Sequence, residues 1–203
     1  MTRTIGLFVF PEIEALDLAG PYEVFTTATR MAARLDPTKE APFRVVTVAR
    51  DRSAVRARAG MLVVPECSFD EHPALDVLVV PGGVVDAELA SDAVIAWIRR
   101  VDATTSITAS VCTGAFLLAR AGLLDGRKVT THWEDADALR EAFPAVDVVA
   151  HEGLRWIDAG KYVTSAGISA GIDMSLHLVE RLAGRVLAER TARQMDFAWT
   201  ENR

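Results

Sequence analysis

The sequence predicts an α/β fold in three layers, with a mostly parallel sheet and helices on both of its faces. Three observations carry that expectation. Apolar runs of strand length alternate with longer amphipathic segments, the pattern of strand–helix–strand units. Val77–Val80 (VLVV) is apolar at every position, as strands covered on both faces are. The chain has 203 residues, 50% hydrophobic and 25% charged. That suits one domain over residues 1–203 with a sizeable core.

The elements follow in order. Thr4–Phe10 (TIGLFVF) reads as a buried strand. Pro21–Arg34 reads as a helix with Pro21 in its first turn, where a missing N–H costs nothing. Phe43–Ala49 is a second strand. Val55–Ala57 and Met61–Val64 flank Arg58-Ala59-Gly60 and read as a hairpin. Val77–Val80 stops at Pro81-Gly82-Gly83. Ala90–Val101 is a helix, Ser106–Ser110 a strand, and Gly114–Ala121 a helix ending at Gly122. Val129–Thr131 is a strand, and Glu134–Phe143 a helix closed by Pro144. Val146–Ala150, Arg155–Asp158 and Tyr162–Ser165 are strands. Ala170–Leu182 and Val186–Met195 are the closing helices.

Composition excludes several function classes. The formal net charge is -6 and the basic residues are scattered, so neither a nucleic-acid nor a membrane-surface partner is expected. No apolar window is long enough to span a bilayer. Ile5–Phe10 is too short for a signal segment, and the chain is expected in the cytoplasm. Two distant cysteines fit free thiols in a reducing compartment. The four histidines show no HxxxH or HxH spacing, so no metal site is expected. The many Ala and Arg residues suit a bacterial source.

In open parallel sheets, ligands bind beyond the carboxyl ends of the strands. Three such ends carry unusual residues. Cys112 stands where SITAS turns through Val111-Cys112-Thr113-Gly114 into a helix. An elbow there aims a side chain over the sheet edge, and the positive end of the helix favours a thiolate. Cys112 is therefore expected to be the reactive centre. Cys67 has no such setting and reads as structural. Gly82 and Gly83 follow a strand, and their N–H groups are candidate donors to an anionic intermediate. Asp17 stands among Ala15, Leu16, Leu18 and Ala19. It is either a helix cap or a buried acid with a raised pKa. Glu12, Glu14 and Glu23 read as surface or first-turn charges. His132, at another strand end, is a candidate for the same cleft. His177 reads as structural.

Four segments taken together resemble the ThiJ/PfpI superfamily, which shares a class I glutamine amidotransferase-like, flavodoxin-like fold. They are LDLAGPYEVF (Leu16–Phe25), VVPGG (Val79–Gly83), SVCTGAFLLARAGLLDGRKVTTHW (Ser110–Trp133) and TSAGISAGIDMSLHLVE (Thr164–Glu180). Within the superfamily the chain is most similar to the isonitrile hydratases, which pair an aspartate in a D-x-x-G-P segment with a cysteine followed by threonine. Asp17 and Cys112-Thr113 match those positions. Gly20, in the same segment, joins Gly82, Gly83 and His132 as candidate substrate- or oxyanion-binding residues. Peptidase-like members place a histidine directly after the cysteine, where this chain has Thr113.

The resemblance implies addition of water to a small-molecule isocyanide, giving an N-substituted formamide through a Cys112 thioimidate. Asp17 would move the protons, the Thr113 hydroxyl would position water or substrate, and the N–H groups of Gly83 and Thr113 would steady developing charge. It implies no cofactor, and a homodimer. Two other readings stand beside it. AraC-type transcription regulators carry an N-terminal domain with very similar segments, which allows a noncatalytic ligand sensor. That group continues into a helix-turn-helix region, whereas this sequence ends at Arg203, so a free-standing enzyme is expected. The remaining reading is other cysteine chemistry of the superfamily: glyoxalase-like, stress-response or peptidase.

Overall fold

In the computed structural model, which describes residues 1–201, the chain runs through β1 (Arg3–Phe8), α1 (Ala15–Leu35), β2 (Phe43–Ala49), β3 (Val55–Arg56), β4 (Leu62–Val63), β5 (Cys67–Ser68) and β6 (Val77–Val80). It continues with α2 (Asp86–Leu89), α3 (Asp92–Asp102), β7 (Ile107–Val111), α4 (Gly114–Arg120), β8 (Lys128–Val129) and α5 (Ala136–Ala142). β9 (Asp147–Val148), β10 (Trp156–Ala159), β11 (Tyr162–Ser165), α6 (Ala170–Ala183) and α7 (Arg185–Gln194) complete it.

The main sheet has the strand order β10-β11-β7-β6-β1-β2-β5. Every pairing in it is parallel except β10 with β11. The expected mostly parallel sheet is therefore what forms. All four residues of β6 and all five of β7 are buried; β6 therefore reads as an unbroken apolar run, whereas Thr108 and Ser110 interrupt the apolar pattern of β7. Burying each such Val contributes roughly 1.5–3 kcal/mol relative to exposure. α1, α6 and α7 pack on one another, and α2, α3 and α4 form a second group. Phe8, Phe69 and Trp97 meet under α3, with the Phe69 and Trp97 rings stacked at 4.2 Å.

Several boundaries moved. α1 begins at Ala15, so Pro21 lies inside it rather than in its first turn. The missing N–H at Pro21 would have bonded to the carbonyl of residue 17, and the helix continues because its apolar face is buried by Leu18, Val24, Phe25 and Ala28. The edge strand β5 has only two residues and carries too little pattern to read from sequence, while β8 forms one residue earlier and shorter than the expected Val129–Thr131, at Lys128–Val129. The hairpin forms as expected, with β3 antiparallel to β4 around the Arg58–Gly60 turn. No helix among the described residues is long and apolar enough to cross a membrane.

The central order β7-β6-β1 brings three carboxyl ends side by side. These are the ends that lead into Cys112, into Pro81-Gly82-Gly83, and towards Asp17. The sheet topology thus assembles one site from segments far apart in the chain.

Candidate active site

Cys112 follows β7 directly and has φ 55, a left-handed conformation that a non-glycine residue rarely adopts. The surroundings hold this strained elbow. Its N–H donates to the Ser165 carbonyl at 3.2 Å. Its carbonyl accepts from the Thr131 hydroxyl at 2.8 Å. Behind it, Gly114 lies so close to the carbonyls of Val80 and Pro81 that a Cβ there has no space. The elbow therefore sits hard against the end of β6, with its side chain over the sheet edge.

Asp17 lies within α1 and is completely buried. The helix cap is Glu14, so Asp17 is the buried acid of the two alternatives. Its Oδ2 accepts from the Gly82 N–H at 3.0 Å. Its Oδ1 makes no geometric hydrogen bond among the described residues, although the adjacent Cys112 side chain slightly favours the ionised carboxylate. Burial dominates and pushes the Asp17 pKa from 3.8 to about 7. The Gly82 bond opposes that rise and the Glu14 charge adds to it.

The expected resting thiolate is corrected by the same burial. Cys112 is only 8% exposed. Desolvation, then the Asp17 charge, push its thiol from 9.0 up to about 12. The N–H groups of Thr113 and Ile168 pull the other way, towards the charged sulfur, and do not win. α4 is only seven residues long, and its positive end does not offset the loss of water. At neutral pH the pair is thus a thiol beside an acid poised to gain or lose a proton.

Gly82 and Gly83 also have a different part from the one expected. The Gly82 N–H is spent on Asp17. The Gly83 N–H donates to Thr113 Oγ1 at 2.9 Å, and the Thr113 hydroxyl donates back to the Gly83 carbonyl at 2.9 Å. Neither glycine offers a free donor to an oxyanion, and the Thr113 hydroxyl spends its proton on the Gly83 carbonyl, keeping one acceptor lone pair for a water or substrate donor. The three residues instead clamp the β6 turn onto the elbow. Glycine is needed here: a Cβ on Gly82 would stand 2.7 Å from the Thr113 nitrogen and 2.9 Å from Asp17 Oδ2. Gly83 has φ 142, and the donors facing sulfur are the N–H groups of Thr113 and Ile168. Gly20 is buried in α1 against Ile172 of α6. It permits close helix packing, and no ligand contact is evident for it.

Cys112 opens on a cleft of about 320 Å³, whose wall includes Thr113, Gly83, His132 and Ile168. Glu14, Arg58, Glu134 and Asp135 make the rest of it polar. His132 therefore lies in the cleft, its Nδ1 accepting from the Glu134 N–H at 3.3 Å and standing 3.5 Å from Asp135 Oδ2. His72, by contrast, accepts from the Trp97 indole N–H at 3.1 Å, and His177 pairs with Asp158 at 2.7 Å. Sequence reasoning missed Ile168, Thr131 and Arg58. Ile168 has φ 34 in the loop after β11, and that loop is braced by Arg155, which bonds Ser169 and the buried Asp173. The available signal was the glycine-flanked loop at the end of a strand neighbouring β7. Among the described residues, no cluster of three or more His, Cys, Asp or Glu is placed to hold a metal ion.

Comparison with known proteins bears on this site. The family described as DJ-1/PfpI matches residues 3–181. The isonitrile hydratase of Pseudomonas putida is 34% identical over 98% of this chain and 80% of that protein. The HTH-type transcriptional regulator GbdR of Pseudomonas aeruginosa is 32% identical over 92% of this chain, but only 48% of that regulator. The crystal structure of a ThiJ/PfpI family protein from Pseudomonas syringae superposes with a TM-score of 0.83 at 29% identity, covering 97% of this chain and 76% of that one.

Proposed function

We propose that this chain, which belongs to the DJ-1/PfpI family, hydrates an isocyanide to an N-substituted formamide through a covalent bond to Cys112. The observation that carries this reading is the buried Asp17, with a pKa of about 7, set beside the Cys112 thiol. The similarity to an isonitrile hydratase supports the same reaction.

Chemistry on a neutral thiol needs its proton moved as sulfur bonds to carbon. The Asp17 carboxylate takes the thiol proton while Sγ attacks the terminal carbon of R–N≡C, then delivers that proton to the same carbon. The product is the thioimidate R–N=CH–S–Cys112. The Thr113 and Ile168 N–H groups steady the sulfur as its charge develops. Asp17 next takes one proton from water as the oxygen attacks the thioimidate carbon and passes it to the nitrogen, giving R–NH–CH(OH)–S–Cys112. The C–S bond then breaks as the remaining hydroxyl proton moves through Asp17 to sulfur, and R–NH–CHO leaves. Gly82 and Thr113 act by position: one holds Asp17, the other ties the turn to the elbow. The resemblance also carries a homodimer in the cytoplasm and no cofactor into this reading.

The test is formamide production from cyclohexyl isocyanide, followed by the formyl proton in NMR. Wild type is expected to give N-cyclohexylformamide and Cys112→Ala none. Full activity in Cys112→Ala would end the covalent mechanism. A second reading, a ligand sensor without turnover, draws on the likeness to a regulator and on the thiol held up at about 12. A sensor would bind the isocyanide without converting it and would keep binding after Cys112→Ala.

A further inference from the structure

The wall of the Cys112 cleft carries three carboxylates, Glu14, Glu134 and Asp135, and a single guanidinium, Arg58. Glu14 and Arg58 face each other at 4.0 Å, so that pair is close to neutral. Glu134 and Asp135 have no such partner. Among the described residues, the only basic group near either is His132, whose Nδ1 stands 3.9 Å from Glu134 Oε2 and 3.5 Å from Asp135 Oδ2. That nitrogen accepts from the Glu134 N–H, so it carries no proton and the ring is neutral. Two negative charges beside the nucleophile are left uncompensated.

These charges do not serve to cap helices. Asp135 precedes α5 without a side-chain cap bond, and Glu14 precedes α1 in the same way. They do reach the reacting groups. The Asp135 charge is one cause of the raised Cys112 pKa, and the Glu14 charge one cause of the raised Asp17 pKa. The cleft thus opposes both anions that the chemistry passes through, a carboxylate and a thiolate. A cation seated in the cleft reverses that field and favours both. No three of the side chains are placed to hold a metal ion, which leaves an organic cation.

We propose that the Cys112 cleft selects a substrate whose substituent carries a positive charge, an ammonium held by Glu134 and Asp135. The proposal deepens the isocyanide reading and rests on it for the reacting group. A short carbon chain suffices to link the two ends, because Cys112 and both carboxylates line the same cleft. The ammonium donates charge-assisted hydrogen bonds to the carboxylates, and its charge eases loss of the thiol proton as sulfur attacks. An uncharged alkyl group gains neither. Glu134 and Asp135 are 64% and 40% exposed, so water screens them and the preference is about tenfold rather than thousands.

Thiol-modifying probes test the charge preference without turnover. Cys112 is treated with aminoethyl, methyl and sulfonatoethyl methanethiosulfonate, which are cationic, neutral and anionic. Rates are read at the Cys112 peptide by mass spectrometry and divided by those for mercaptoethanol. The cation-to-neutral ratio is expected to be about tenfold in wild type, with the anion slowest, and to fall towards one in Glu134→Gln/Asp135→Asn and in high salt. The single variants, expected to fall part way, stand in if the double variant does not fold. A wild-type ratio within about twofold of one, or a ratio unchanged by the substitutions, overturns the proposal. In parallel, kcat/KM is compared for dimethylaminopropyl isocyanide, protonated at neutral pH, and its uncharged isostere isohexyl isocyanide. The cationic substrate is expected to be favoured about tenfold. If both are converted equally well, the hydratase reading stands and the proposal falls. If neither is converted, the hydratase reading fails by itself, and the methanethiosulfonate ratio decides whether the cleft prefers a cation.

Discussion

Asp17→Asn should inactivate the protein and stabilise it at the same time, with a gain that depends on pH. The folded state holds the Asp17 proton more tightly than the unfolded chain, because the pKa rises from 3.8 to about 7 on burial. The folded form therefore binds more protons across that interval, and stability falls as pH rises through it. At roughly 1.4 kcal/mol per pH unit, the loss is complete near pH 8 and amounts to about 4 kcal/mol. Asparagine has the same shape, can still accept from the Gly82 N–H, and never ionises. It escapes the loss. The variant is expected to match wild type near pH 4 and to gain progressively up to about pH 8, where its melting temperature stands on the order of 10 °C higher. Scanning calorimetry of both proteins from pH 4 to pH 8.5 reads the difference directly, since other titrating groups cancel. Activity is expected to drop by about 10²–10⁴, the usual contribution of a positioned acid–base group. An advantage that is absent at pH 8, or that is as large at pH 4 as at pH 8, refutes the raised pKa and the proton relay built on it.

Three further outcomes follow from the site. Gly82→Ala forces a Cβ to 2.7 Å from the Thr113 nitrogen and 2.9 Å from Asp17 Oδ2, so activity should fall by about 10² with the fold retained, as measured by turnover and circular dichroism. Thr113→Val removes both bonds to Gly83 and should cost about 1–3 kcal/mol in urea unfolding. Cys112 should react slowly with iodoacetamide at pH 8, because its thiol is pushed up to about 12. Peptide mass spectrometry should show faster alkylation in Asp17→Asn, where the like charge is gone, and faster labelling of wild-type Cys112 than of free cysteine contradicts this.

The fold was legible where burial acts on both faces of an element. Val77–Val80 and Phe43–Ala49 form at their expected boundaries, because every residue of the former and most of the latter answer to one apolar environment. Pro21 misled because local backbone preference points to a helix start, whereas the apolar face of α1 extends the helix upstream to Ala15. At the site, positions were readable and protonation was not. The elbow at Cys112 follows from a strand, a turn and a helix in sequence. The burial that raises its pKa comes from segments distant in the chain, including Asp17 and the Ile168 loop. The same limit applies to Gly82 and Gly83. Their place at a strand end is local, but the bonds that occupy their N–H groups depend on α1 and β7 meeting β6.

The claim at the centre of this account is that water adds to the isocyanide only after carbon has bonded to Cys112. Rapid acid quench of a single turnover, with mass spectrometry of the Cys112 peptide, tests it most directly. The account predicts a transient adduct heavier by one isocyanide, on Cys112 and not on Cys67, that decays at the rate the formamide appears. Formamide formed at full rate with no adduct on Cys112 would contradict it.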